Sequence, residues 1–150
     1  MSSVVRATTV VPGRIVEAEE LWYDPHRWPA WIDGFGHVHK LEGEWPDAGA
    51  RLVWDSVPHG RGRVQEVVTE YVPRTFQTRD VEDERLRGTQ TVAFEAAGAD
   101  DVEVTLSLEY ELKERTVLTP VLDRLFIRRE LTESLRRTLT RFGYERRAEL

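Results

Sequence analysis

From Val102 to Leu112 every second residue is apolar: Val102, Val104, Leu106, Leu108, Tyr110 and Leu112 alternate with Glu103, Thr105, Ser107, Glu109 and Glu111. Successive side chains of a strand point to opposite faces, so this segment carries one dry face and one wet face. A sheet containing such a strand must bury its dry face against something else in the chain. The rest of the sequence can be read for what completes that sheet and what covers it.

Strand patterns run for about eighty residues after Gly34, broken by turn residues at Gly43 to Gly49, Pro58 to Gly62, Pro73, Asp83 to Gly88 and Gly98 to Asp101. That is hairpin spacing, and it predicts strands near 36–43, 50–57, 62–72, 74–81, 87–96 and 102–113. Val4 to Val11, rich in β-branched residues and closed by Pro12-Gly13, adds a first strand and makes seven. Ile15, Ala18, Leu21 and Trp22 recur at helical spacing and predict a short helix over 14–23. The stretch from Asp24-Pro25 to Gly34 suits one or two helical turns, which bring Trp28 and Trp31 to one face.

Only one segment remains to cover the sheet. Thr119 suits an N-cap, Pro120 the first helical position, and helix formers continue to about Arg147 without a proline. Such a helix spans about 25 residues, or close to 40 Å. Its apolar positions, Val121, Leu122, Leu125, Phe126, Ile127, Leu131, Leu135, Leu139 and Phe142, form a stripe that drifts around the axis between the two halves. No repeat or linker divides the chain, so a single α+β domain over 1–150 is expected.

Charge and cysteine content narrow the function. The formal net charge of −6 argues against a nucleic-acid binder, whose affinity comes mainly from clustered Lys and Arg. Residues 118–150 nevertheless hold eight arginines and five acids, leaving thirteen bases and twenty-two acids to the remainder. A basic helix against an acidic body is the plain reading; an anionic-partner patch is the other. The absence of cysteine excludes disulfides and thiolate metal sites and fits a reducing interior. No run of about 18 apolar residues and no leader pattern stands at Met1 to Arg6, so the expectation is a soluble cytoplasmic protein without integral membrane association.

The order β-α-α-β-β-β-β-β-β-α resembles the helix-grip fold of the START-like and birch-pollen-allergen (SRPBCC) superfamily, over nearly the whole chain. Asp24-Pro25-x-x-Trp28-Pro29-x-Trp31, then Leu41-Glu42-Gly43 and Gly49-x-x-Leu52-x-Trp54, look like its polyketide cyclase/dehydrase and lipid-transport branch. The resemblance implies a seven-stranded curved antiparallel sheet and a cavity between it and the long helix, with no cofactor and no metal. Three functions follow as expectations. The first is binding of a small hydrophobic molecule such as a polyketide, lipid or isoprenoid; the others are cofactor-independent polyketide cyclisation or dehydration, and a protein-interaction module with a filled core.

The candidate residues each have a plain alternative. Five tryptophans suit a pocket for flat molecules, and Trp31 and Trp54 are the expected contacts, although a Trp in a small domain also serves as core. Tyr110, on the dry face of the last strand, either donates its phenol to a ligand oxygen or pairs with a backbone carbonyl. Glu66, Arg79 and Gln90 lie on central strands of undetermined parity; Arg79 suits an oxyanion, and otherwise sits in solvent. Gln90 and Phe94 are the expected contacts from the strand at 87–96, and Leu122, Leu125 and Phe126 from the first half of the long helix as the pocket's roof. His37 and His39 share a strand face and form a two-histidine clip only if a third ligand joins them. No G-x-S-x-G, H-E-x-x-H, phosphate loop or dinucleotide fingerprint is present.

Overall fold

A computed structural model of the protein describes residues 2–113 and 121–150, the side chains of 121–123 excepted. Seven strands, β1 (Ser3–Pro12), β2 (Phe35–Glu42), β3 (Arg51–Ser56), β4 (Arg63–Val72), β5 (Phe76–Glu82), β6 (Leu86–Ala96) and β7 (Asp101–Leu112), form one antiparallel sheet. Their spatial order is β1-β7-β6-β5-β4-β3-β2, so six consecutive strands make a meander and β1 closes onto the last of them. Between β1 and β2 lie α1 (Ile15–Trp22), a single 3-10 turn at Pro25–Arg27, and α2 (Trp28–Trp31). The chain ends in α3 (Val121–Ala148).

This is the helix-grip fold expected from the order of elements. The alternation that defines β7 becomes its burial pattern, with Val102, Val104, Leu106, Leu108 and Tyr110 all buried. Val5, Ala7 and Val11 on β1 supply the same dry face, in register with Leu108, Leu106 and Val102. Gly88 on β6 sits where the strands approach most closely: an added Cβ would strike the Glu109 carbonyl of β7.

The long helix packs against β1, β7 and α2. Leu135, Leu139 and Phe142 are buried, whereas no side chain from 124 to 130 is. Leu125 and Phe126, expected as the pocket's roof, are instead 56% and 60% exposed. The reason is not phase, because residues 124–130 make nearly two full turns of helix without a buried side chain, so no face of this stretch is covered. The apolar stripe therefore runs on past the part of the helix that packs against the core. The expected cap at Thr119-Pro120 lies outside the described residues, as does the side chain of the expected contact Leu122. No helix among the described residues is long and apolar enough to cross a membrane.

Candidate functional site

Under the middle of α3, the dry face of the sheet and the two small helices meet in a cluster of aromatic rings. Trp22 and Trp31 lie 4.5 Å apart by ring centroid, and the Phe142 ring stands 5.1 Å from each. Trp28 donates its indole N–H to the Trp22 carbonyl (2.8 Å), and Trp45 to that of Tyr23 (2.8 Å). These bonds lock α1, the 3-10 turn and α2 into one corner. Phe35 stacks on Trp54 at 5.1 Å and continues the aromatic wall along the sheet.

Between this wall and the sheet remains a chamber of about 60 Å³. Pockets for drug-sized ligands run to roughly 300–1,000 Å³, so the closed chamber has room for only a few heavy atoms. The large hollow implied by the resemblance is mostly filled here by indole and phenyl rings.

Strand register decides which polar groups face the chamber. On β4, Val64, Glu66 and Val68 point inward, and on β5 so do Gln77, Arg79 and Val81. Glu66 pairs with Val81 and Arg79 with Val68, so Glu66 and Arg79 are diagonal neighbours on one face. Arg79 Nη1 stands 2.9 Å from Glu66 Oε1, with side-chain exposures of 8% and 7%. The contact is ionic but not aligned as a hydrogen bond, and Glu66 Oε1 has no other donor. Trp54 Nε1 donates to the second oxygen, Oε2, at 2.6 Å. The Arg79 guanidinium also stands 5.6 Å from the centroid of the Trp45 ring.

Among the residues lining the chamber, two buried donors, Arg79 Nε and Trp31 Nε1, are left without hydrogen-bond acceptors, and Glu66 Oε1 without a hydrogen-bond donor. Trp54 and Gln90, the residue opposite Arg79 on β6, line it too. A buried donor without a partner is destabilising by about 1–3 kcal/mol, so an acceptor oxygen within reach of either group would be stabilised. At one margin Arg61 Nε bonds Asp83 Oδ2 at 2.9 Å, and its guanidinium lies 5.6 Å from the Trp54 ring centroid. Near Arg79, burial pushes the Tyr23 phenol well above its usual range despite the opposing pull of the arginine. Its hydroxyl too is buried without a partner.

Of the residues expected from sequence, Trp31, Trp54, Arg79 and Gln90 border the chamber. Phe94 and Tyr110 do not: both are buried elsewhere in the core, Phe94 beside Trp22 and Tyr23. Each is four residues along its strand from the position that faces the chamber, Gln90 on β6 and Leu106 on β7, a displacement of about 13 Å. His37 is exposed and pairs with Asp55 at 3.2 Å, and among the described residues no group of three His, Cys, Asp or Glu could hold a metal.

Glu66, whose facing local sequence does not fix, also borders the chamber, as do Asp33, Ser134 and Thr138, which carry no local signal of a site. For Glu66 the signal was present, since a charge sits at the centre of the alternation Val64, Glu66, Val68. A register shift between Val68 and Glu70 breaks that parity and hides it when β4 is counted from its far end.

Residues 3–143 match the family model described as polyketide cyclase / dehydrase and lipid transport. The chain belongs to that family. Solved structures with the same fold include the di-domain ARO/CYC StfQ of the steffimycin biosynthetic pathway, 18% identical with a TM-score of 0.79, covering 100% of this chain and 53% of that one. TTHA0849 from Thermus thermophilus is 20% identical, with a TM-score of 0.74 and coverage of 98% and 99%. Truncated norcoclaurine synthase from Thalictrum flavum is 14% identical, with a TM-score of 0.70 and coverage of 95% and 92%. No curated protein matches the chain. Family membership supports binding of a hydrophobic ligand or polyketide cyclisation, while likeness at these identities speaks for the fold alone.

Proposed function

We propose that this protein binds a small, flat, hydrophobic molecule bearing a carbonyl or phenolic oxygen, of the polyketide type, in the chamber between α2, α3 and the sheet. The observation that carries this reading is the buried Glu66–Arg79 pair facing an aromatic wall, with Arg79 Nε and Trp31 Nε1 lacking acceptors. Rings stack on Trp54 and Trp31, Gln90 borders the polar end, and the guest's oxygen takes the two free N–H groups. Burial of the rings drives binding, and the oxygen sets orientation.

A second reading, cyclisation or dehydration, is favoured by the same ion pair. A β-hydroxyketone held with its carbonyl at Arg79 would give up an α-proton to the Glu66 carboxylate. The enolate charge would then rest against the guanidinium. The C–O bond of the hydroxyl breaks as the double bond forms, and the hydroxyl leaves as water on receiving that proton. Every atom in this step comes from substrate and side chains.

Tryptophan fluorescence titrated with 1-naphthol and with naphthalene tests the binding reading. A saturable change with 1-naphthol is expected, and Arg79→Met is expected to weaken it roughly 10- to 100-fold, the worth of a charge-assisted hydrogen bond, with little effect on naphthalene. No saturable response to naphthols, polycyclic phenols or fatty acids would refute it. Formation of the α,β-unsaturated ketone from a β-hydroxyketone, lost in Glu66→Gln, would establish the second reading.

A further inference from the structure

The walls of the chamber differ in how they are held. The sheet side is a continuous hydrogen-bonded ladder, and the α1–α2 corner is fixed by interlocked indoles. The remaining side is a seam between the α2–β2 turn, which contributes Ile32 and Asp33, and the middle of α3, which contributes Ser134, Leu135 and Thr138. One residue of the turn makes nearly all the polar contacts across that seam. Asp33 Oδ2 accepts from Ser134 Oγ at 2.7 Å, and the carboxylate takes Arg137 through Nε and Nη2 at 3.0 Å each. Arg141 Nη1 adds a bond to Oδ1 at 3.2 Å, and the Asp33 backbone N–H donates to Thr138 Oγ1 at 3.0 Å.

Residues 134, 137, 138 and 141 share one face of a helix, so a single carboxylate grips α3 over two turns. The Asp33 side chain is only 17% exposed, while Arg137 and Arg141 are 51% and 45% exposed, so the grip can be loosened by solvent from outside. Toward its start α3 has no buried side chain from 124 to 130; toward its end Leu139 and Phe142 are buried in the core. The helix is thus anchored beyond the seam and weakly held before it, the condition under which a segment opens locally without global unfolding.

From this arrangement we infer that Asp33 is a latch for the ligand site: a positioning residue whose release lets the middle of α3 part from the α2–β2 turn and admit a guest too large for the closed chamber. The inference rests on the pocket reading, and it explains how a chamber of about 60 Å³ serves molecules larger than a few atoms. A latch that stays released while a guest larger than the chamber is bound governs affinity as well as access, so weakening it speeds association and tightens binding. A merely structural role would do the reverse, weakening affinity through misplacement of the wall without speeding access.

Stopped-flow fluorescence with 1-naphthol and amide hydrogen exchange of the unliganded protein together provide the test, on Asp33→Asn and on the double variant Arg137→Gln/Arg141→Gln. Both variants are expected to raise the association rate by roughly tenfold, as loss of charge-assisted bonds implies, and to lower Kd by a similar factor, while the dissociation rate moves less than about threefold. Amides of residues 134–141 are expected to exchange faster in both. An unchanged association rate in both variants overturns the latch, as does unchanged exchange of those amides. The double variant keeps the Asp33 side chain, so a folding defect peculiar to Asp33→Asn leaves the test intact. If the unsubstituted protein shows no saturable response to 1-naphthol, the pocket reading fails, and the exchange result alone decides whether Asp33 restrains α3.

Discussion

The Glu66–Arg79 pair permits a quantitative test of the site's construction. Both side chains are more than nine-tenths buried and 2.9 Å apart, a separation at which unit charges attract by about 6 kcal/mol for an effective dielectric constant of about 20. Desolvation of the two groups offsets much of that attraction, so the pair as a whole adds little to stability. Removing one partner is a different matter. In Arg79→Met the Glu66 carboxylate keeps only the Trp54 N–H, and the expected loss is about 3–5 kcal/mol. Urea unfolding followed by far-ultraviolet circular dichroism measures it, and a chain of this size should also lose roughly 10 °C in Tm. In Glu66→Gln/Arg79→Met the buried charge is gone and the amide oxygen can still accept from Trp54. Stability should return to within about 1 kcal/mol of the original protein, so the cycle reports a large coupling. A loss below about 1 kcal/mol in Arg79→Met, or a double variant no better than the single, would refute the reasoning that the pair is desolvated and interdependent.

The two halves of α3 should respond oppositely to truncation. Phe142→Ala, which empties a site against Trp22 and Trp31, is expected to destabilise by about 3–5 kcal/mol, and Phe126→Ala to stay within about 0.5 kcal/mol; equal losses in urea unfolding would mean that the first half is packed after all. Stability should also fall in acid through Asp33. Desolvation alone would raise this carboxyl, but hydrogen bonds from Arg137 and Ser134 and the charges of Arg137 and Arg141 outweigh it and hold it below its ordinary value of 3.8. Its contribution is therefore complete above about pH 5, where the unfolded carboxyl is also ionised, and is lost as pH drops through the lowered folded value. The unfolding free energy of Asp33→Asn should accordingly fall less steeply between about pH 5 and pH 2; parallel curves would contradict the assignment.

Much of the fold was legible in the chain because it depends on local periodicity. The alternation from Val102 to Leu112 determined which face of β7 is dry, Pro and Gly clusters marked the hairpins, and the absence of proline after Pro120 allowed one long helix. These signals lie within a few residues of one another, and backbone geometry converts them directly into strands, turns and helix. Arg79, Trp31, Trp54 and Gln90 could be singled out for the same reason, as unusual chemistry on elements already placed.

Tertiary structure decided what depends on relations between elements. Leu125 and Phe126 belong to the same apolar stripe as Phe142 by composition, but covering an apolar position depends on what docks against it, and no face of 124–130 is covered. Glu66 faces inward because of its register with Leu52 and Val81, which fixes it as Arg79's partner only once the shift after Val68 is taken into account. The size of the chamber is a small difference between the volume that the sheet and α3 enclose and the volume of the rings filling it. Asp33 reaches Ser134, Arg137 and Arg141 across more than a hundred residues of chain. Contacts of that separation are set by how whole elements dock, and no window of local sequence contains both partners.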